Sequence, residues 1–117
     1  MGSYSTLVLC QIFNGNSYVS ATNDSKTSPK YRRVFFDGSE SYAGHAEMRA
    51  ISKIPKSWNP NKLRVYVQRF KKDGSIGMSR PCVHCQAALW RAGILSRRVM
   101  FTDDEGHMQK FTMRGGL

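Results

Sequence analysis

His45-Ala46-Glu47 and Pro81-Cys82-Val83-His84-Cys85 together constrain this chain more than any other feature. One imidazole and two thiols can hold a metal ion only if the chain folds back so that the two segments meet. Three protein ligands (His45, Cys82 and Cys85) leave the fourth tetrahedral position of Zn²⁺ open, as a catalytic site requires and a structural site does not. Glu47 is not needed as a ligand, so it is free to move protons. Two plainer readings stand beside this one. A C-x-x-C pair by itself also fits half of a structural zinc site or a redox dithiol. A structural site needs a fourth ligand, for which Cys10, His84 and His107 are the candidates. His84 lies between the two cysteines and is expected to point off the helix on the wrong side.

The pattern along the chain places both halves of the motif at helix starts. Residues 7–13 alternate in a β-favouring run that ends at Asn14-Gly15, a strong hairpin signal, and 17–22 is the returning strand. Residues 23–30 are polar and breaker-rich and are expected to form a loop. A short extended piece is expected at 31–36 and a loop at 37–44. A helix is expected from His45 to about Ile54, with Met48, Ile51 and Ile54 as its apolar stripe and Pro55 as its stop. Residues 63–70 alternate with period two and form a strand. Asp73-Gly74 turns the chain, and Pro81 sits where a second helix begins, running from Cys82 to about Ala92 with Gly93 as its stop. A strand at 98–102, a turn at 103–106 and a final strand at 107–111 complete the order β-β-α-β-α-β-β. Strands interleaved with helices imply an α/β layer fold with a mixed sheet, here a single domain over 1–117.

The chain has 117 residues, with 18 Lys+Arg against 8 Asp+Glu, a formal net charge of +10. So strong a positive field favours a polyanionic partner, nucleic acid before nucleotide phosphates and either before a membrane surface. No apolar run approaches the ~20 residues that span a bilayer, and the first residues lack the pattern of a signal peptide. There are three cysteines. Two belong to the motif and Cys10 is left in a strand, as a small buried hydrophobe. That sparse, odd count argues against a disulfide scaffold and for a reducing, cytoplasmic setting.

The helix-start positions suit the chemistry. Unpaired N–H groups in a first helical turn favour negative charge, hence thiolate over thiol at Cys82 and Cys85. Spacing of three residues puts both sulfurs on one helix face. With Zn²⁺ held there, water is acidified from a pKa of about 15.7 toward about 7, within reach of a carboxylate base such as Glu47.

H-A-E followed by P-C-x-x-C resembles the signature of the cytidine deaminase-like superfamily, and the resemblance extends over nearly the whole chain. It implies a three-layer fold with a mixed five-stranded sheet and the zinc site between two helix N-termini. His45, Cys82 and Cys85 match the zinc ligands and Glu47 the proton shuttle. Asn23, just after the second strand, matches an asparagine that often bonds the sugar. Ala46 matches an alanine whose backbone N–H often contacts the base carbonyl. The implied activity is hydrolytic conversion of cytosine to uracil.

Two departures refine the expectation. Members of this superfamily often begin with a helix before the hairpin. About six residues precede the first strand here, so that sheet face is expected to be bare or covered by a partner subunit in a homo-oligomer. The tRNA adenosine deaminase branch has a helix between its last two strands. Asp103–Gly106 is too short for such a crossover, so the last two strands are expected to pair as an antiparallel hairpin, which resembles the free-cytidine branch and several bacterial toxin deaminases, while the block Met78-Ser79-Arg80-Pro81-Cys82 and the compact layout resemble small deaminase-like proteins of phages.

Three functions therefore compete: a cytosine deaminase on single-stranded nucleic acid, a free cytidine, deoxycytidine or dCMP deaminase, and a non-catalytic zinc-containing nucleic-acid-binding protein. The charge and the interleaving of cations with aromatics (residues 30–36 and 69–72, Trp90-Arg91) favour the first. Arg80, next to the metal motif, is a candidate for a substrate phosphate, and Trp58 for stacking on a base.

Overall fold

The computed structural model of the chain describes residues 7–27, 33–34, 38–41, 43–71 and 73–110. Its elements in order are strands β1 (Leu7–Asn14), β2 (Ser17–Thr22), β3 (Asp24–Thr27), β4 (Arg33–Val34), β5 (Glu40–Ser41) and β6 (Ala43–Gly44). Helix α1 (Ala46–Ile51), strands β7 (Arg64–Phe70) and β8 (Ile76–Gly77), helix α2 (Val83–Arg91) and strands β9 (Val99–Thr102) and β10 (Met108–Lys110) follow.

The main sheet has the order β10-β9-β7-β1-β2, with β8 paired to β7. β1 is antiparallel to both β2 and β7, whereas β7 and β9 are parallel and joined through α2. The sheet is therefore mixed, as the alternation of strands and helices predicts. The last two strands pair antiparallel, Met108 opposite Thr102 and Lys110 opposite Met100, so the short connection does form a hairpin. Asp103 fixes the turn by accepting bonds from the N–H groups of Glu105 and His107, both at 2.9 Å.

Period-two alternation decides which side of the sheet is filled. Cys10 and Ile12 of β1, Val65 and Val67 of β7 and Val99 and Phe101 of β9 point into one core with Ala46 and Ala50 of α1 and Leu89 of α2. Ile12, Leu63, Val65 and Val67 are fully buried, each contributing roughly 1.5–3 kcal/mol relative to exposure. Both helices share this core and contact each other. Among the described residues no helix lies on the opposite face of the sheet.

Several elements differ from expectation for local reasons. Residues 24–27 form a strand, not a loop, because they pair with β6, Asp24 opposite Gly44. Within 31–36 only 33–34 are described, as β4 paired with β5. The first hairpin turns on Gly15-Asn16, not Asn14-Gly15. Asn14 still pairs with Ser17, and Gly15 alone carries a positive φ, 62°, at the first central position, where a type II′ turn has glycine. Helix α1 stops at Ile51, after which Lys53 and Ile54 bond back three residues, to Ala50 and Ile51, as the chain tightens before Pro55. Its buried face is Ala46, Glu47 and Ala50, supported by Ile51 and Ile54; Met48 is outside the core. Pro81 precedes the cap of α2 and is not its first residue, because Cys82 is the N-cap. Gly93 ends α2 at φ 88° in a Schellman motif: its N–H bonds Trp90 O and the N–H of Ile94 bonds Leu89 O. No helix among the described residues is long and apolar enough to cross a membrane.

Candidate metal centre

The approach of the chain to His45 is set by backbone pairing. β6 ends at Gly44, whose partner in β3 is Asp24, so the register that orders β3 also brings Asn23 and His45 to the same end of the sheet. His45 is the N-cap of α1, in extended backbone geometry, and its side chain does not cap the helix. On the other side, the segment before Pro81 is clamped between β7 and β9. Ser79 Oγ donates to Val67 O at 2.6 Å and accepts from Thr102 N at 2.7 Å, while the Ser79 N–H bonds Thr102 O at 2.9 Å. Both residues are buried, so this clamp is shielded from water. Cys82 follows as N-cap of α2, with Cys85 one turn on.

These two approaches bring three donors together. His45 Nδ1 lies 3.6 Å from the sulfur of Cys82 and 3.6 Å from that of Cys85. All three ligand atoms fall within 4.8 Å of one another, a spacing that suits a shared metal ion. The hydrogen bond from the Cys85 side chain holds the Cys82 thiol down at about 3 against the opposing effect of burial, with the His45 side chain and the Cys85 backbone adding to the shift. Cys82 is thus a thiolate at neutral pH, the form that binds metal. A donor set of one imidazole and two thiols, one already a thiolate, fits a borderline-soft divalent ion.

Glu47 sits one helical step beyond His45 and is buried, only 5% exposed. Burial pushes its carboxyl up from the ordinary range and the neighbouring Cys82 adds to that, opposed by its own backbone N–H, by His45 and by a hydrogen bond with Cys85. A carboxyl held in this way exchanges protons closer to neutrality than a free one.

A cavity of about 240 Å³ opens beside this group, lined by His45, Ala46, Glu47 and Cys82 together with Asn23 and Arg80. Six of the eight sequence candidates therefore share one hollow, and Cys85 adjoins them through His45. Asn23 is held by a reciprocal pair with Val8: its Oδ1 accepts from the Val8 N–H at 3.0 Å and its own N–H donates to Val8 O at 3.1 Å. Arg80 packs its guanidinium 5.5 Å from the centre of the Phe101 ring. Trp58 is elsewhere. It packs against the hydrophobic core and is not among the residues lining the cavity.

Comparison of the chain with family models, with curated proteins and with solved structures found no match. The chemistry of the site must be read from this chain's own residues.

The remaining sequence candidates for a fourth ligand are accounted for. Cys10 is completely buried, and burial, with Glu47 nearby, pushes its thiol well above the ordinary range, so it behaves as an inert small hydrophobe. His84 turns away and pairs with Ser39, Nε2 to Oγ at 3.0 Å. His107 is exposed at the last turn, beside Asp103 and Glu105.

One wall residue enters the sequence reading only as part of the basic and aromatic stretch 69–72, not as a neighbour of the metal motif. Arg69 of β7 lines the cavity, and its Nε is buried with no hydrogen-bond partner. The signal was the period of β7. With Val65 and Val67 inward, Arg69 must point to the same side, the one cation on the helix-facing row of that strand.

Proposed function

We propose that this protein is a zinc-dependent hydrolytic deaminase that converts cytosine to uracil, acting on single-stranded nucleic acid. The observation that carries the reading is the buried Glu47 carboxyl in the same cavity as His45 and Cys82, with Cys85 behind them. A structural or redox use of the three donors gives a buried glutamate no task, and leaving a carboxyl there is costly. The resemblance of H-A-E and P-C-x-x-C to the cytidine deaminase-like superfamily supports the same conclusion.

His45, Cys82 and Cys85 would hold the ion. When bound, Zn²⁺ supplies Lewis acidity and brings the pKa of water down toward about 7. Glu47 accepts the proton that water loses and passes it to the ring nitrogen of the base. The same carboxyl then takes the remaining proton from the hydroxyl attached to the ring carbon and delivers it to the exocyclic nitrogen as the C–N bond breaks, so that cytosine and water give uracil and ammonia with Glu47 returned to its starting state. The Ala46 backbone N–H and the Asn23 side chain orient base and sugar.

Arg69 and Arg80 on the cavity wall favour a phosphorylated substrate over a bare nucleoside. An unpaired buried guanidinium nitrogen is stabilised by an incoming phosphate oxygen. The polymer is preferred to a mononucleotide because of the formal +10 charge. The size of the cavity, about 240 Å³, favours the second reading, a free cytosine nucleotide.

The test is deamination by the purified zinc-loaded protein of cytosine in a single-stranded oligonucleotide, with deoxycytidine and dCMP in parallel. Conversion of the oligonucleotide alone supports the polymer reading, with a steep loss of activity between low and physiological salt. Conversion of the small molecules alone makes it a nucleotide-salvage enzyme. No conversion of any of the three would sink the deaminase assignment.

A further inference from the structure

The face of the main sheet on which no helix lies among the described residues is built as a surface of its own. On β1 and β7 the residues that alternate with the core row, Phe13 and Gln11 on one and Arg64, Tyr66 and Gln68 on the other, line a hollow of about 750 Å³. A second hollow of about 340 Å³ adjoins it and shares Arg64, Tyr66 and Arg98. Five cations line the pair: Lys62, Arg64, Arg97, Arg98 and Lys110. Among the described residues no carboxylate lines either hollow, and none of the five cations has an ion-pair partner. The Nε of Arg98 is buried with no acceptor there, as is that of Arg69 on the opposite face.

Aromatic rings run across the strands beside these cations. Phe13 lies 5.2 Å from Tyr18 on β2 and 5.6 Å from Tyr66 on β7, the latter edge-on. Tyr18 is 56% exposed, so its ring is offered outward rather than packed away. Flat rings next to unpaired cations are what a single strand needs, stacking for its bases and charge for its phosphates.

We propose that this open sheet face, Tyr18-Phe13-Tyr66 with Arg64 of β7, Lys110 of β10 and Lys62, Arg97 and Arg98 just before β7 and β9, is a second binding site for single-stranded nucleic acid, separate from the cavity beside His45 and Cys82 on the helix-covered face. Charge complementarity selects the occupant. A second copy docked here by a two-fold axis would press the same five cations against themselves, with no carboxylate to offset them. A nucleic-acid strand brings one negative charge per nucleotide. The site holds substrate strand near the catalytic face without reading its sequence.

Binding of a fluorescein-labelled twelve-nucleotide oligodeoxythymidine to the full chain, followed by anisotropy across salt concentrations, tests this. The probe contains no cytosine, so the result does not depend on the proposed deamination. Lys62, Arg64 and Lys110 are exposed, and their triple change to Gln leaves the core intact. It should weaken binding at least tenfold and lower the slope of log affinity against log salt by about 2, since each single-strand phosphate contact contributes about 0.7. Changing Lys53, Lys56 and Arg91 of the helix layer to Gln removes the same charge and should alter affinity less than about twofold. Tyr18→Ala should weaken binding with the slope unchanged. Equal losses in the two triple variants, or none in either, overturn the proposal. So does a wild-type dimer in sedimentation that the first triple variant dissolves, because the face is then a contact between copies.

Discussion

His45 and Cys82 hold the same place in two different helices. Each is the N-cap, in extended backbone (φ −65°, ψ 151° and φ −68°, ψ 166°), and neither carries an oxygen with which to cap its helix. An N-cap normally carries Ser, Thr, Asp or Asn, whose oxygen satisfies one of the orphan N–H groups. Here the donor atoms of both residues meet each other, His45 Nδ1 lying 3.6 Å from the Cys82 sulfur.

Cys82→Ser should therefore separate stability from metal binding. The serine can cap α2 and should raise the stability of the metal-free protein by about 0.5–1 kcal/mol in urea unfolding. Zinc content by elemental analysis should fall well below one per chain. A variant that keeps full zinc would show that Cys82 is not a ligand.

Glu47→Gln should retain one zinc per chain and lose deamination by a factor of about 10²–10⁴. A pH effect follows from the raised carboxyl. A folded-state pKa above the unfolded one, about 4.3, means that the contribution of Glu47 to stability is fully present below that value and is lost as pH rises through the folded pKa. The urea midpoint of the metal-free wild type should accordingly drop, relative to Glu47→Gln, as pH rises above about 4.3. Parallel midpoints would show that Glu47 titrates normally.

Arg69→Met keeps the apolar stem and removes the guanidinium with its buried, unpartnered Nε. Stability should rise by about 1 kcal/mol, the relief of an unsatisfied buried group. Turnover of dCMP or the oligonucleotide should fall at least tenfold while that of deoxycytidine is unchanged. An equal loss on all three substrates would mean that Arg69 shapes the cavity and does not read phosphate.

Ser79→Ala cuts the clamp between β7 and β9 and strands the buried N–H of Thr102. We expect a loss of about 1–3 kcal/mol in stability, together with weaker zinc binding, because residue 79 leads directly into Pro81-Cys82. Normal zinc affinity in a destabilised variant would place the clamp in the fold alone.

The sequence made the metal trio legible because ligand chemistry admits few residue types, and it made β1, β7 and α2 legible because their alternation and their stop at Gly93 are strong local signals. What it hid was tertiary. Asp24–Thr27 look like a loop, and only the partner segment at Ala43–Gly44 turns them into a strand. Trp58, exposed by its polar neighbours in sequence, is drawn against the core. Arg69 looks like one more surface cation until Val65 and Val67 are known to face inward.

Both sides of β7 are occupied by different tasks. Arg64, Tyr66 and Gln68 belong to the open face, and Val65, Val67 and Arg69 to the core and the metal cavity. Sliding the strand by one residue would bury Arg64 and Tyr66 and expose two valines, so the two surfaces would be lost together. Along this strand the two tasks are inherited as a unit: substitution can tune either alone, but no insertion or deletion of a single residue can spare one of them.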